Sequence, residues 1–233
     1  MIIYNQHLII DNKNTLYNIF LLILAKENYT HEPKQERDAI SSVTKIKSKK
    51  LECAKILLFL LTVQNSQDRV ININDYLSAT KRDIKNLNDI KIAINNLARL
   101  KVNYYNNKSR LKSAPIFDYI YFKNDNIYYK FSDYIKSKIN ICGRGHKLVS
   151  VNPKIFVDEG YRCHAKNRLK FLLNLAIITY ELSCSESKLK LTVKEKYHFY
   201  NIIYKTKNGN IKKHNMIDCL YNNIKKQVDF HML

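Results

Sequence analysis

Apolar side chains return along this chain at two spacings, and the switches between them lay out the elements. In KKLECAKILLFLLTVQN, Leu51, Ala54, Leu57, Leu58 and Leu61 recur every three or four residues, which predicts a buried helix with a broad apolar face. Asp68 to Ile73 (DRVINI) alternates as a short strand does, and Asn74 or Asp75 can cap a small helix through DYLSATKR. Asn88 offers the next N-cap, with the charge of Asp89 in the first turn of a helix from Ile90 to Leu100. On that helix Ile90, Ile94 and Leu97 form the stripe that faces the core. A basic polar gap, VNYYNNKSRLKSAP, follows; then Ile116 to Phe122 and Ile127 to Phe131 alternate as strands around KNDN, a tight-turn sequence. Helix, turn, helix and basic-flanked hairpin predict a winged helix, with Ile84 to Phe131 as its centre.

The flanks are plainer. MIIYNQHLII reads as a strand, and Asn14 or Thr15 can cap a helix over Tyr17 to Lys26. Tyr29 to Lys50 is polar and charged, and is expected to be a loop or helix start that packs as an arm and carries no chemistry. Ser132 to Ile139 should form a short helix after the wing. Gly143, Gly145 and Pro153 then concentrate in a chain with 4 Gly and 3 Pro in all, so a linker is expected there. This divides the chain into residues 1–145, an arm plus a first winged helix, and residues 146–233.

The second part repeats the order of the first: NRLKFLLNLAIITYEL as a long helix, KLKLTV as a strand, KEKYHFYNIIY as a helix, and IKKHNMIDCLYNNIKKQ as a helix after the turn KTKNGN. Ile217, Leu220 and Ile224 face inward on the last of these. VDFHML leaves room for one strand, so the second wing is incomplete or closed differently. The expected fold is α+β and mostly helical, with two tandem winged-helix domains.

Charge gives these elements a partner. The formal net charge is +20, from 40 Lys and Arg against 20 Asp and Glu. A codon bias toward Lys, Asn, Ile and Tyr would favour Glu as well, so it does not explain the shortage of acids. A field of this sign selects polyanions, nucleic acid first and an anionic membrane surface second. The outer face of the first candidate reading helix carries Lys91, Asn95, Asn96 and Arg99; Arg and Asn pair bidentately with guanine and adenine edges, while Lys meets phosphate. Lys101, Lys108, Arg110 and Lys112 crowd the gap that follows. In the second part Lys212, Asn215, Asn222 and Lys226 occupy the corresponding face, beside Lys205 and Lys207 in the turn before it. The bland alternative for each face is a solvated helix surface.

Other chemistry finds little support. Cys53, Cys142, Cys163, Cys184 and Cys219 are odd in number and widely spaced, which fits reduced thiols in a cytoplasm. A zinc site built from Cys142, His146, Cys163 and His164 has poor spacing and no C-x-x-C, and CGRGH is neither a P-loop nor a dinucleotide fingerprint. A nuclease or nicking enzyme needs clustered carboxylates, or paired histidines with a tyrosine nucleophile, and neither is seen in the sequence. No enzyme activity and no cofactor are expected. The apolar run Ile19 to Ala25 falls far short of the ~20 residues that span a bilayer, so neither signal peptide nor membrane anchor is expected.

VININDYLSATKRDIKNLNDIKIAINNLARLKV, the helix-turn-helix, and IFDYIYFKNDNIYYKFSDYIKSKI, a hairpin running into a helix, resemble the iteron-binding plasmid replication initiators of the tandem winged-helix type. RLKFLLNLAIITYEL with the last two helices is similar to that family's second winged helix. The likeness runs from Leu51 to the C-terminus and rests on apolar and turn patterns; the short C-terminus and the polar insertion around Tyr29 to Lys50 depart from it. The resemblance implies a cytoplasmic, sequence-specific binder of repeated double-stranded DNA sites at a replication origin. It further implies repression of its own gene by a homodimer, help in opening an AT-rich segment, and recruitment of the host replication initiator and replicative helicase. Two other readings share the charge: a winged-helix transcriptional regulator, and a basic scaffold protein with no sequence-specific site.

Overall fold

The computed structural model describes residues 7–9, 13–25, 40–63, 69–80, 84–105, 110–139, 148–150, 153–156 and 164–181. In chain order these residues form β1 (His7–Ile9), α1 (Lys13–Leu24), β2 (Ile40–Val43), α2 (Lys50–Thr62), β3 (Arg69–Asn72), α3 (Ile73–Thr80), a 3-10 turn (Ile84–Asn86) and α4 (Leu87–Ala98). They continue as β4 (Lys101–Tyr105), β5 (Leu111–Pro115), β6 (Phe117–Lys123), β7 (Asn126–Phe131), α5 (Asp133–Ile139), β8 (Leu148–Ser150), a second 3-10 turn (Pro153–Phe156) and α6 (His164–Glu181). The fold is α+β: helices with three small antiparallel sheets, ordered β1-β8, β2-β4-β5 and β3-β7-β6.

Helix α2 stands at the centre. The apolar spacing predicts one broad face, yet every residue from Glu52 to Thr62 is buried, because α1, α4 and α6 all pack against it. Burial on all sides leaves polar groups that need partners. The Tyr76 hydroxyl of α3 donates to Glu52 Oε1 at 2.6 Å, and the Thr62 hydroxyl donates to the Phe59 carbonyl at 2.7 Å. Ile19 to Ala25 of α1 are likewise buried. The open carbonyls at the end of α1 are met from two directions: Arg168 Nη1 of α6 donates to the Leu24 carbonyl at 3.1 Å, and the Lys50 ammonium donates to that of Ala25.

Contacts cross the expected linker. β1 pairs with β8, Phe20 lies 6.1 Å from Phe171, and Phe59 lies 6.2 Å from Phe156. Ile155, Phe156 and the α6 residues Leu169, Phe171, Leu172 and Leu173 thus share one core with α1, α2 and α4. The expected strand KLKLTV and the last two expected helices lie outside the described residues.

The sheet β3-β7-β6 closes over α4. Ile71, Ile127, Ile120, Tyr129 and Phe131 turn inward, and Asn124 and Asp125 form the β6–β7 turn with φ of 48° and 56°. Asn and Asp tolerate this left-handed region better than other side chains, which is what a two-residue hairpin turn demands. The turn also seats α3, since the Ile73 amide donates to the Asp125 carbonyl at 2.8 Å. The capping residue there is Asn72, whose Oδ1 accepts the Asn74 amide at 2.9 Å, rather than the expected Asn74 or Asp75.

Two expectations need correcting. The basic gap holds strands β4 and β5, and the arm supplies their partner: Ile40, Ser42 and Val43 of β2 pair with Tyr104, Asn103 and Val102. In addition, α4 starts at Leu87 after the 3-10 turn, with Asn86 and not Asn88 at its N-cap position and no side-chain cap bond. Asp89 in its first turn is instead paired with Lys49 at 2.6 Å.

Cys53 is fully buried in α2, with its thiol 3.6 Å from the Ala93 carbonyl, and burial pushes it up to about 12. An unfolded thiol titrates at about 8.5. Because the folded value is raised, the stabilisation is complete below about pH 8.5 and is lost as pH rises toward 12. The stability advantage of wild type over Cys53→Ala, taken from urea midpoints, should therefore shrink between pH 8 and 10.5.

Candidate nucleic-acid interface

The geometry of the first candidate face follows from how α4 is wedged. Ile90, Ala93, Ile94 and Leu97 are buried against α2 and β6, so Lys91, Asn95 and Arg99 point outward. Lys91 and Asn95 are four residues apart on a helix of 3.6 residues per turn and so share a face, and Arg99 follows at the same interval from the C-cap position. At a rise of ~1.5 Å per residue, Lys91 and Arg99 are separated by about 12 Å along the axis, and a B-DNA major groove is wide enough to admit a helix.

Neighbouring side chains fix this face. Lys91 Nζ lies 5.0 Å from the centre of the Phe122 ring, which ties the helix to strand β6 through a cation–π contact. Asn96 is half-buried and donates from Nδ2 to the Ser48 carbonyl at 3.0 Å, so it serves as a bracket to the segment before α2 and is not presented with the other three. Lys49, left-handed at φ 55°, neutralises the acid in the first turn of α4 by pairing with Asp89.

That bracket brings in residues the sequence reading missed. The segment 44–49 runs beside α4, held by the Thr44 amide on the Lys101 carbonyl at 2.8 Å as well as by Asn96 and Lys49. Ile46 turns inward and Lys45 and Lys47 turn out to solvent. The signal was available in the alternation of KIKSKK, where one apolar residue among lysines marks an extended segment lying on a core.

Lys101 is exposed at the start of β4, directly after α4, and Arg110 and Lys112 are exposed on the β4–β5 hairpin, with Lys112 opposite Tyr104. Lys123 is exposed beside the β6–β7 turn. Lys108, Lys205, Lys207, Lys212, Asn215, Asn222 and Lys226 lie outside the described residues. The structure thus sets Lys91, Asn95 and Arg99 on one face of α4, with Lys101 directly after it and Lys45 and Lys47 on the segment that runs beside it, and turns Asn96 to another use.

Chemically the surface offers bidentate hydrogen bonding from Asn and Arg, framed by amines, and Asp89 in the first turn of α4 is paired with Lys49. It can position phosphates and read base edges. Among the described residues no group of three or more His, Cys, Asp or Glu could hold a metal ion, and Cys142, His146 and Cys163 lie outside them. Among them too, no helix is long and apolar enough to cross a membrane. No family model, curated protein or solved structure matches the chain.

Proposed function

We propose that the chain is a sequence-specific double-stranded DNA-binding protein, with α4 as the helix that enters the major groove. The observation that carries this reading is the row Lys91, Asn95 and Arg99 on a helix whose opposite side is core, flanked by Lys45, Lys47 and Lys101. The order α2, β3, α3, α4, β6, β7, with the sheet order β3-β7-β6, supports a winged helix in which the β6–β7 hairpin is the wing. The β4–β5 hairpin is then an insertion between reading helix and wing, anchored by β2.

The biological role we propose is initiation of plasmid replication through repeated origin sites. The sequence pattern of residues 146–233, which predicts helix, strand, helix and helix in the order of the first part, supports a second DNA grip carrying Lys212, Asn215, Asn222 and Lys226, beside Lys205 and Lys207. Origin opening, recruitment of the host initiator and helicase, and autorepression by a dimer belong to the same proposal, and no catalytic step does.

Footprinting on the DNA around the protein's own gene tests this. Direct repeats beside an AT-rich stretch, protected by wild type and lost with Arg99→Ala, support initiation. A single protected palindrome over a promoter points to a transcriptional regulator, and no protection at any salt concentration defeats both. Lys112→Ala should weaken binding to every sequence alike and reduce the slope of log affinity against log salt by about 1. A loss confined to the preferred site would remove Lys112 from the phosphate contacts.

A further inference from the structure

The sheet β3-β7-β6 has a second face, turned away from α4, and its composition is unusual for a surface. Val70, Tyr128 and Tyr121 stand in register across the three strands, with Tyr119 next along β6 and opposite Lys130. Val70 is 55% exposed, Tyr121 47% and Tyr119 37%. The Tyr121 and Tyr128 rings are parallel within 9° at 5.0 Å, and the Tyr119 ring lies 5.9 Å from Tyr121 at a tilt of 40°. Lys123 and Lys130 lie on this same face, while Asp118 at the β6 bulge and Asp125 in the turn mark the ends of the strand.

We propose that this face binds single-stranded nucleic acid, with bases stacking on the tyrosines and phosphates following Lys123 and Lys130. A cross-strand pair of tyrosines steadies a sheet by itself, which accounts for Tyr121 against Tyr128. It does not account for Tyr119, a second exposed ring along β6, or for amines beside the rings. Aromatic rings interleaved with amines are the chemistry by which unpaired bases and their backbone are held together. A duplex cannot use the ring faces, because its bases are already stacked on one another and show only their edges. A second copy of the chain is disfavoured by charge: it would bring Lys123 and Lys130 against another +20 chain. The tyrosine face and the row Lys91, Asn95 and Arg99 on α4 use different side chains, so duplex and single-strand binding can be tested separately.

The test is fluorescence anisotropy with the full chain, using a labelled oligo-dT of roughly 15 nucleotides and a mixed-sequence duplex. Tyr121→Ala with Tyr128→Ala should lower oligo-dT affinity roughly tenfold or more, and Tyr121→Phe with Tyr128→Phe should keep it, with duplex binding unchanged in both. Tyr121→Ala alone, at a side chain half in solvent, should give part of the same loss and guards against a misfolded double variant. Lys112→Ala, which should weaken binding to every duplex alike, should do the reverse, weakening duplex and sparing oligo-dT, so the two surfaces succeed or fail separately. Absence of saturable oligo-dT binding by wild type, unchanged oligo-dT affinity in the alanine variants, or equal loss on both DNAs overturns the proposal. So does light scattering that finds a wild-type dimer broken by Tyr121→Ala, which would give the face to a second copy.

Discussion

Replacing Phe59 by alanine should cost about 3–5 kcal/mol of folding stability. Phe59 is 1% exposed in the middle of α2, and its ring meets Tyr76 of α3 edge-on at 5.2 Å and Phe156 of the second 3-10 turn at 6.2 Å and 83°. The cost has two parts: transfer of the ring back toward water, and the cavity left where neighbours cannot close in. The second part should be large here, because α2 is enclosed from Glu52 to Thr62 and no solvent-facing side can yield. Against a total stability of about 5–15 kcal/mol, that is a substantial share. Urea unfolding should show a lower midpoint at unchanged slope. A loss below about 1 kcal/mol would mean that this ring does not join the two halves of the core.

The second large effect is expected on DNA. Asn95→Ala with Arg99→Ala should remove about 2–6 kcal/mol of discrimination between the preferred duplex and random sequence, taking each bidentate base contact at about 1–3 kcal/mol. The two positions are one helical turn apart, so their losses need not add. Titrations on preferred and random duplexes at matched salt separate the outcomes, since base reading is lost from the first alone. Equal losses on both would reassign the pair to phosphate contacts. Asn96→Ala, by contrast, removes the bond to the Ser48 carbonyl and should cost stability by about 0.5–1.5 kcal/mol, with little direct effect on reading.

Much of the unit from α2 to β7 could be read from local pattern, because its elements obey strong periodic rules. Ile90, Ile94 and Leu97 are buried as their spacing demands, and Asn124 and Asp125 adopt the backbone that KNDN announces. What could not be read is what depends on distant partners. VNYYNNKSRLKSAP looks like a polar gap until Ile40–Val43, some sixty residues earlier, is laid beside it, and a four-residue strand of sequence ISSV does not advertise itself. Gly143, Gly145 and Pro153 resemble a linker by composition, yet Ile155, Phe156 and α6 pack on the same core as α1 and α2. The row Lys91, Asn95, Arg99 was legible from helical geometry. Asn96 is not, because its bond to Ser48 is tertiary, and the placing of Lys45 and Lys47 beside α4 rests on that same bond.

The pairing of β1 with β8 also sets an order of events during synthesis. His7 meets Ser150 and Ile9 meets Leu148, so the first strand leaves the ribosome long before its partner exists. At elongation rates of about 5–20 residues per second the wait is on the order of ten seconds, ample time for α1 and α2 to find each other. β2 waits less, until β4 has emerged. The nascent chain should therefore acquire its central helices first, and the ribbon joining β1 to residues 148–150 should be among the last strand pairings to form, at the entropic cost of closing a loop of about 140 residues.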